Sequence, residues 1–370
     1  MAIDTLIIGG GVMGCGVALR LAQAGQSVVV LERAIPGAEA SSAAAGILAP
    51  QAECDAPGPL LDLGLRSRSL YPALAEELRQ LTGIDVGFRS CGVLEVAATK
   101  EGLAKLEERA RWQERAGLRL ERLTASQVRS LEPELTGPIE GALWLADEGQ
   151  VDNRALVNAL SIAAAKVGAR FQTGLVRSVW VEEGRARGVE LEDERLEANA
   201  VVLAAGAWSA LVPGTGGWAT QVIPARGQMV QLETRPPLLS RVVFTERGYL
   251  VPRVDGRLLV GSTLEFVGFE KRVTASGLRE LLGLAVDIAP ALAKAPVVDS
   301  WAGFRPYSRD GRPLLGPGPI ADLFFATGHH RNGILLAPVT AELVANAVLR
   351  RALPLSLEAF RPDRAEAARA

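Results

Sequence analysis

Histidine, cysteine and lysine are all scarce in this 370-residue chain, and each shortage narrows what the chain can do. The two histidines, His329 and His330, are adjacent and have no third ligand nearby, so no metal site is expected. The three cysteines, Cys15, Cys54 and Cys91, lack metal-ligand spacing, and an odd number argues against a disulfide framework. Only five of the 40 basic residues are lysine, which reflects composition rather than function. With a net charge of −2, no overall field favours nucleic acid or anionic lipid. No uncharged run reaches the ~18 residues that a transmembrane helix requires. Residues 1–14 are apolar but lack a basic leader, so no secretory signal is expected and the cytoplasm is the expected location.

What is present is a strong apolar pattern. Nearly half the residues are hydrophobic, which excludes disorder as the dominant state, and the length exceeds what one core usually takes up. The N-terminus reads as strand, glycine turn, helix and second strand: apolar Ile3–Ile8, then Gly9-Gly10-Gly11-Val12-Met13-Gly14, then an amphipathic run to Gly25, then Ser27 to Glu32. In this GxGxxG spacing Gly9 permits the tight turn. Gly11 lets backbone approach a pyrophosphate, and Gly14 lets the helix pack close to the strand. Amide groups at the new helix's N-terminus are suited to phosphates. Glu32, eighteen residues beyond Gly14, is placed to bond ribose hydroxyls. An ADP-containing cofactor is therefore expected.

A small-residue stretch follows from Gly37 to Pro50, including Ser41 to Leu48, where backbone can lie against a flat ligand or a helix. Helical periodicity marks 60–82 with a stop at Gly83, a charged helix marks 100–117, and Thr124-Ala-Ser-Gln127 resembles a capping box. A further helix is expected from Asp152 to Gly168. Short strands are expected at 91–97, 169–173, 175–182 and 185–191, and residues 199–204 suit a buried parallel strand. From 221 to 263 the pattern is β-rich, followed by a helix at 275–289, strands at 297–304 and 323–326, and a last helix from about 332 to 351. Asp310-Gly311 reads as a turn.

Both ends carry dinucleotide-fold material and the β-rich stretches lie between. The expected fold is α/β: a discontinuous FAD-binding Rossmann-like domain (1–85, 145–220 and 305–370) with an inserted β-rich α+β substrate domain (86–144 and 221–304). Two late segments concentrate the remaining chemistry, Trp301 to Gly316 and Ala326 to Pro338. The second has strand–loop–helix form, with Gly333 near a helix start whose dipole favours developing negative charge.

These residues resemble the flavoproteins of the D-amino-acid oxidase superfamily, and within it the glycine oxidases of thiazole synthesis. The resemblance covers nearly the whole chain. It rests on Gly9–Gly14 with Glu32, Ser42-Ala-Ala-Ala-Gly46, Ala52-Glu53-Cys54, Tyr71, Thr82-Gly83 and Val202–Trp208. It extends through Tyr249-Leu-Val-Pro252-Arg253, Val260-Gly261, Trp301–Pro306 and Gly328–Pro338. It implies that Gly9, Gly11, Val12, Met13 and Gly14 surround the pyrophosphate, with Glu32 and Arg33 at the adenosine ribose. Ala40, Ser41, Ala45, Gly46, Ile47 and Gly206 would line the pyrophosphate and flavin, and Val176 would meet the adenine through its backbone. His329, His330, Arg331, Asn332, Gly333, Ile334 and Leu335 would wrap the isoalloxazine edge. Arg305 would hold a substrate carboxylate with help from Tyr249, Arg331 would sit close by, and Ile47 and Leu264 would form an apolar wall.

The implied activity is FAD-dependent oxidative deamination of glycine and other small amines such as sarcosine and D-alanine. Hydride would pass from Cα to flavin N5, oxygen would accept the electrons, and hydrogen peroxide would form. A homotetramer is implied by the same resemblance. Two departures matter. Tyr307 follows Pro306 and no cysteine is near, so the FAD is expected to be non-covalent. No lysine occurs in Arg257–Thr263, where relatives place one to activate oxygen, which keeps open a dehydrogenase of sarcosine, D-amino acids or proline with another acceptor. An NAD-dependent dehydrogenase would share the first fingerprint but leave Gly328–Pro338 without a role, and a non-catalytic flavin-holding subunit is a third class.

Overall fold

The computed structural model describes residues 2–364, so the two ends of the expected cofactor domain, residue 1 and residues 365–370, lie outside the described residues. The chain opens with β1 (Ile3–Ile8), α1 (Val12–Gln23) and β2 (Val28–Glu32), as the glycine spacing requires. Short elements occupy the small-residue stretch: α2 (Ala40–Ala43), β3 (Ile47–Leu48) and α3 (Pro50–Glu53). The long helix α4 (Pro59–Thr82) ends at Gly83, which adopts the left-handed φ of 78° that closes a helix without penalty.

Then come β4 (Val93–Ala97), α5 (Lys100–Arg115), β5 (Glu121–Leu123), α6 (Ala125–Leu131), β6 (Gly141–Leu145) and β7 (Gly149–Gln150). Thr124 and Gln127 do form a reciprocal capping box at the start of α6. The chain continues through α7 (Asn153–Lys166), β8 (Arg170–Thr173), β9 (Ser178–Glu182), β10 (Arg185–Glu190) and β11 (Arg195–Leu203). Strand β12 (Val222–Glu233) is followed by a meander of β13 (Val242–Thr245), β14 (Gly248–Pro252) and β15 (Arg257–Gly261), the last pairing back with β12, and then by α8 (Ala275–Ile288). Last are β16 (Val297–Ser308), β17 (Leu314–Pro317), β18 (Leu323–Thr327) and α9 (Gly333–Val348).

Two large sheets result. The first has the order β17-β18-β11-β1-β2-β8, parallel from β18 to β8, with β10 and β9 continuing from β11. β11 serves three partners: Arg195 to Glu197 pair antiparallel with β10, Ala198 to Leu203 run parallel to β1, and Val201 to Leu203 also pair parallel with β18. Both faces of β1 are covered, Ile7 against α1, α7 and α9 and Leu6 with Ile8 against the β9–β10 side, which is why its second half, Leu6 to Ile8, is continuously apolar. The second sheet has the order β16-β12-β15-β14-β13-β4-β6-β5 and is antiparallel except for β13 with β4. One face packs on α6 and α8, and the other carries Met229, Tyr249 and Trp301 toward the small-residue stretch.

The strand expected at 297–304 runs on to Ser308, because Arg305 and Pro306 stay paired opposite Ala225 and Pro224 of β12. β16 is an edge strand, where a residue without an N–H is tolerated. Arg305 therefore projects from regular strand and not from a loop. Asp310, in the expected turn, is gripped by the Arg364 guanidinium through two 2.7 Å hydrogen bonds.

Helix α9 contains Pro338, which cannot donate to the carbonyl of Ile334 one turn earlier. The fully buried Tyr71 hydroxyl on α4 donates to that carbonyl instead. Next to it the Ser67 hydroxyl donates to Leu335 O at 2.6 Å. Two buried carbonyls in the first turn of α9 are thus satisfied from a neighbouring helix. Replacing Tyr71 by Phe orphans the first of them, and urea unfolding is expected to show a loss of about 1–3 kcal/mol.

Candidate active site

Two hollows meet where the first sheet ends and the second begins. The outer cleft lies at the ends of β1 and β2. The inner cavity lies between α9, the small-residue stretch and the second sheet. Gly11, Ala40, Ser41, Ala204 and Gly206 line both, so the two form one trough.

Most of the residues singled out above are brought together here. Gly9, Glu32, Arg33 and Val176 line the outer cleft. Val12, Met13, Ala45, Gly46, Ile47, Tyr249, Arg305 and the run from His329 to Ile334 line the inner cavity. Three residues stand elsewhere. Gly14 lies beneath the turn, where a Cβ would come within 1.9 Å of Gly9 O, so its part is to let α1 approach β1. Leu335 is buried behind the wall, its carbonyl bound by Ser67. Leu264, expected in the apolar wall, is 51% exposed and outside the cavity lining. Its neighbours account for this. Thr263 and Glu265 turn inward to Gln228 and Arg226 of β12, and the alternation of extended chain turns Leu264 outward.

The backbone wall is built for close approach. At Gly46 a Cβ would lie 2.0 Å from Val151 O. The adjacent Ala45 carbonyl accepts a 2.8 Å bond from the buried Arg253 guanidinium, which also donates to Gln150 on β7. Burial pushes the Arg253 guanidinium down to about 10. Arg253 belongs to the Tyr249–Arg253 motif, yet its bracing of the small-residue stretch had no signal in the sequence beyond that motif.

Two helix N-termini open into the trough. Neither α1 nor α9 is capped by its own N-cap residue or carries an acid in its first turn, so both positive ends are left for an anionic or electron-rich group. Glu32 accepts from Gly10 N at 2.8 Å and Ala34 N at 3.1 Å, which fixes its carboxylate at the rim of the outer cleft. The Ser41 hydroxyl accepts from Val12 N at 3.0 Å. In the inner wall the His330 Nε2 and the Asn332 side-chain oxygen are buried with no partner within the protein. Orphaned polar atoms, helix N-termini free of acids and a long flat trough fit a dinucleotide carrying a planar polar ring.

Arg305 is held from behind. Its guanidinium donates to Thr263 O at 3.1 Å and to the Ser262 hydroxyl, and Tyr249 Oη lies 3.1 Å from the same Ser262 oxygen. Ser262 thus joins the two side chains, a link that sequence reading missed. Gly227 makes the room, since a Cβ there would sit 2.2 Å from the Arg305 guanidinium. Among the described residues no carboxylate comes within 4 Å of Arg305. Arg331 differs, because its charge is balanced by Glu53 at 3.0 Å. The sequence offered Glu53 only as part of a motif.

Both histidines are uncharged. Burial alone pushes His329 down to about 3, and its Nε2 shares a hydrogen bond with Thr340 Oγ1 at 3.0 Å. His330 is also pushed down to about 3, by burial first and then by the Arg305 and Arg331 charges. Its ring meets Tyr307 edge-on at 4.8 Å. An unfolded histidine titrates near 6.5, so between that value and about 3 the unfolded chain binds more protons and stability falls as pH falls. Urea midpoints are expected to drop on acidification below pH 6.5, and less steeply in a His329→Gln variant.

The family profile described as FAD dependent oxidoreductase matches residues 4–347. A bifunctional protein ThiO/ThiG from a Synechocystis species is 41% identical over 371 residues, covering 98% of this chain, which spans only 54% of that protein's length. A glycine oxidase from Geobacillus kaustophilus is 38% identical, with 96% of each chain covered. The crystal structure of glycine oxidase from the same organism superimposes with a TM-score of 0.93 at 37% identity over 98% of both chains.

Proposed function

The chain belongs to the DAO family of FAD-dependent oxidoreductases, and from that premise we propose that it oxidises glycine and other small amines, sarcosine and D-alanine among them. FAD is its cofactor. The observation that carries the substrate reading is Arg305, a charged guanidinium on the cavity wall without an acidic partner among the described residues. A small amino acid supplies the missing carboxylate, and a guanidinium binds one through two parallel hydrogen bonds. Glycine-oxidising relatives support the same choice.

In this reading the carboxylate docks on Arg305, whose orientation is fixed by Thr263 O and Ser262. The Tyr249 hydroxyl, drawn to the same side by Ser262, donates to the second carboxylate oxygen. Ile47 walls the side-chain space, which suits a substrate with little or no side chain. Bound FAD supplies the acceptor for the Cα hydride and passes the electron pair onward. The neutral histidines offer no acid or base near pH 7, so the amine enters unprotonated and the chain's part is positioning. The N-terminus of α9 opposes negative charge that develops at the cavity wall. Loss of hydride and a proton from the substrate gives an imine, which water converts to an oxo acid and ammonia. Oxygen taking two electrons and two protons gives hydrogen peroxide.

The supporting architecture divides, in our reading, into a cofactor domain (1–85, 145–220 and 305–370) and a substrate domain (86–144 and 221–304). Non-covalent attachment of FAD, a cytoplasmic homotetramer and an imine product used in thiazole assembly belong to the same proposal, the last supported by the likeness to the ThiO/ThiG protein. A second reading, transfer to an acceptor other than oxygen, is favoured by the absence of lysine from β15 and the two residues after it.

Anaerobic titration with glycine is expected to bleach the flavin absorbance, and air is expected to restore it with peroxide formed. Bleaching without recovery supports the second reading. No bleaching by glycine, sarcosine or D-alanine overturns the substrate assignment. Arg305→Ala is expected to raise the KM for glycine by about 100-fold, the loss of two charge-assisted hydrogen bonds. An unchanged KM removes Arg305 from the carboxylate site.

A further inference from the structure

Between β15 and α8 the chain crosses the mouth of the trough, and its tip is unusually apolar for an exposed segment. Phe266, Val267 and Phe269 are 55%, 38% and 41% exposed. The segment is nonetheless anchored at its base. The buried Arg226 guanidinium grips the Glu265 carboxylate with bonds of 2.8 and 3.0 Å and donates to Glu270 O at 2.9 Å. Gln228 adds a 2.8 Å bond to Glu265 and receives one of the same length from Thr274 N. A segment this firmly based, with aromatic groups left outside, calls for a surface to cover.

That surface is the outer cleft. Phe269 lines it and stacks on Trp208, ring centroids 5.4 Å apart and planes 29° apart. Trp208 also carries the Arg33 guanidinium 3.9 Å from its ring centroid. Glu39 then joins the two sides, pairing with Arg33 at 3.0 Å and with Lys271 at 2.6 Å. Ile35, Leu175 and Leu211, exposed at 72%, 52% and 61%, complete an apolar rim around the same cleft. Large apolar groups ringing a hollow in this way mark a binding site. The occupant suited to it is flat, aromatic and joined to a polyhydroxy group within reach of Glu32, which describes an adenosine.

We propose that residues 266–271 are a latch over the adenosine half of the cofactor, closed by Phe269 on Trp208 and by Lys271 on Glu39, and that its opening sets the rate at which FAD leaves. This rests on the reading that the adenosine half lies in the outer cleft. The latch ties the substrate sheet to Trp208 after β11 and to Glu39 before α2, the two segments that border the outer cleft. Val267 shares the tip but is absent from the cleft lining and from the three aromatic contacts of the segment, Phe269 with Trp208 and Phe304 and Phe266 with Tyr307.

The test is the dissociation rate of FAD from the holoenzyme, followed as the rise of free FAD fluorescence on dilution. Apoprotein melting curves separate release from loss of fold. Phe269→Ala is expected to release FAD about tenfold faster and Lys271→Ala several-fold faster, with apoprotein melting unchanged, while Val267→Ala stays within about twofold of the parent. Glu32→Ala tests the cleft itself. Faster release in Glu32→Ala with a parental rate in Phe269→Ala overturns the latch and leaves the cleft assignment standing. Parental rates in both overturn the cleft assignment and the latch with it. Equal acceleration by Val267→Ala, or a change of oligomer mass in Phe269→Ala at a parental release rate, also overturns the latch, the latter making the patch a subunit contact.

Discussion

The structure depends above all on how closely backbone can approach backbone at the trough. Where α1 turns away from β1, at Gly14, and where the small-residue stretch passes β7, at Gly46, a single methyl group would lie 2.0 Å or less from a carbonyl oxygen. Contacts that short are impossible, so a side chain at either place would push the helix or the stretch off its seat. The trough keeps its width because these positions have none. Gly227 applies the same logic to a charge, giving the Arg305 guanidinium a place to lie flat against β12. Sterics set the site's shape before electrostatics sets its chemistry.

On that frame charge is distributed unevenly. Arg226, Arg253 and Arg331 each have an acid or a fixed set of oxygens, whereas Arg305 is held by a carbonyl and a hydroxyl that leave its positive charge uncompensated. The two histidines contribute no charge at all. A cavity with Arg305 uncompensated among the described residues, two helix N-termini free of acids and an apolar wall discriminates by the sign and size of what enters it. It does so without any group that titrates in the neutral range among those facing Arg305.

Much of this was legible in the chain itself. The glycine spacing with Glu32 led to β1, α1, β2 and the outer cleft, because a turn of that kind leaves little conformational choice. Gly328–Pro338 led to the strand, loop and helix at the inner wall. What was hidden is what depends on distant partners. Nothing local signals that Tyr71 supplies the donor that Pro338 lacks, that Ser262 joins Tyr249 to Arg305, or that Glu53 balances Arg331. Leu264 was expected in the wall from the resemblance alone, and nothing local shows that its two neighbours bond to β12 and turn it outward. The extension of β16 through Arg305 was hidden for a related reason, since a proline usually ends a strand and here an edge position tolerates it.

The packing of α1 against α9 has a consequence for biosynthesis. Gly11 and Asn332 face the same hollow but are made at opposite ends of translation. A nascent chain that has emerged only as far as β15 has the outer glycine turn and the Ala45–Ile47 wall but neither Arg305 nor the His329–Ile334 wall. It can offer a nucleotide a foothold and only one side of the inner cavity. The hollow can therefore close around the whole cofactor only after α9 has been made, since its last wall comes from the end of the chain.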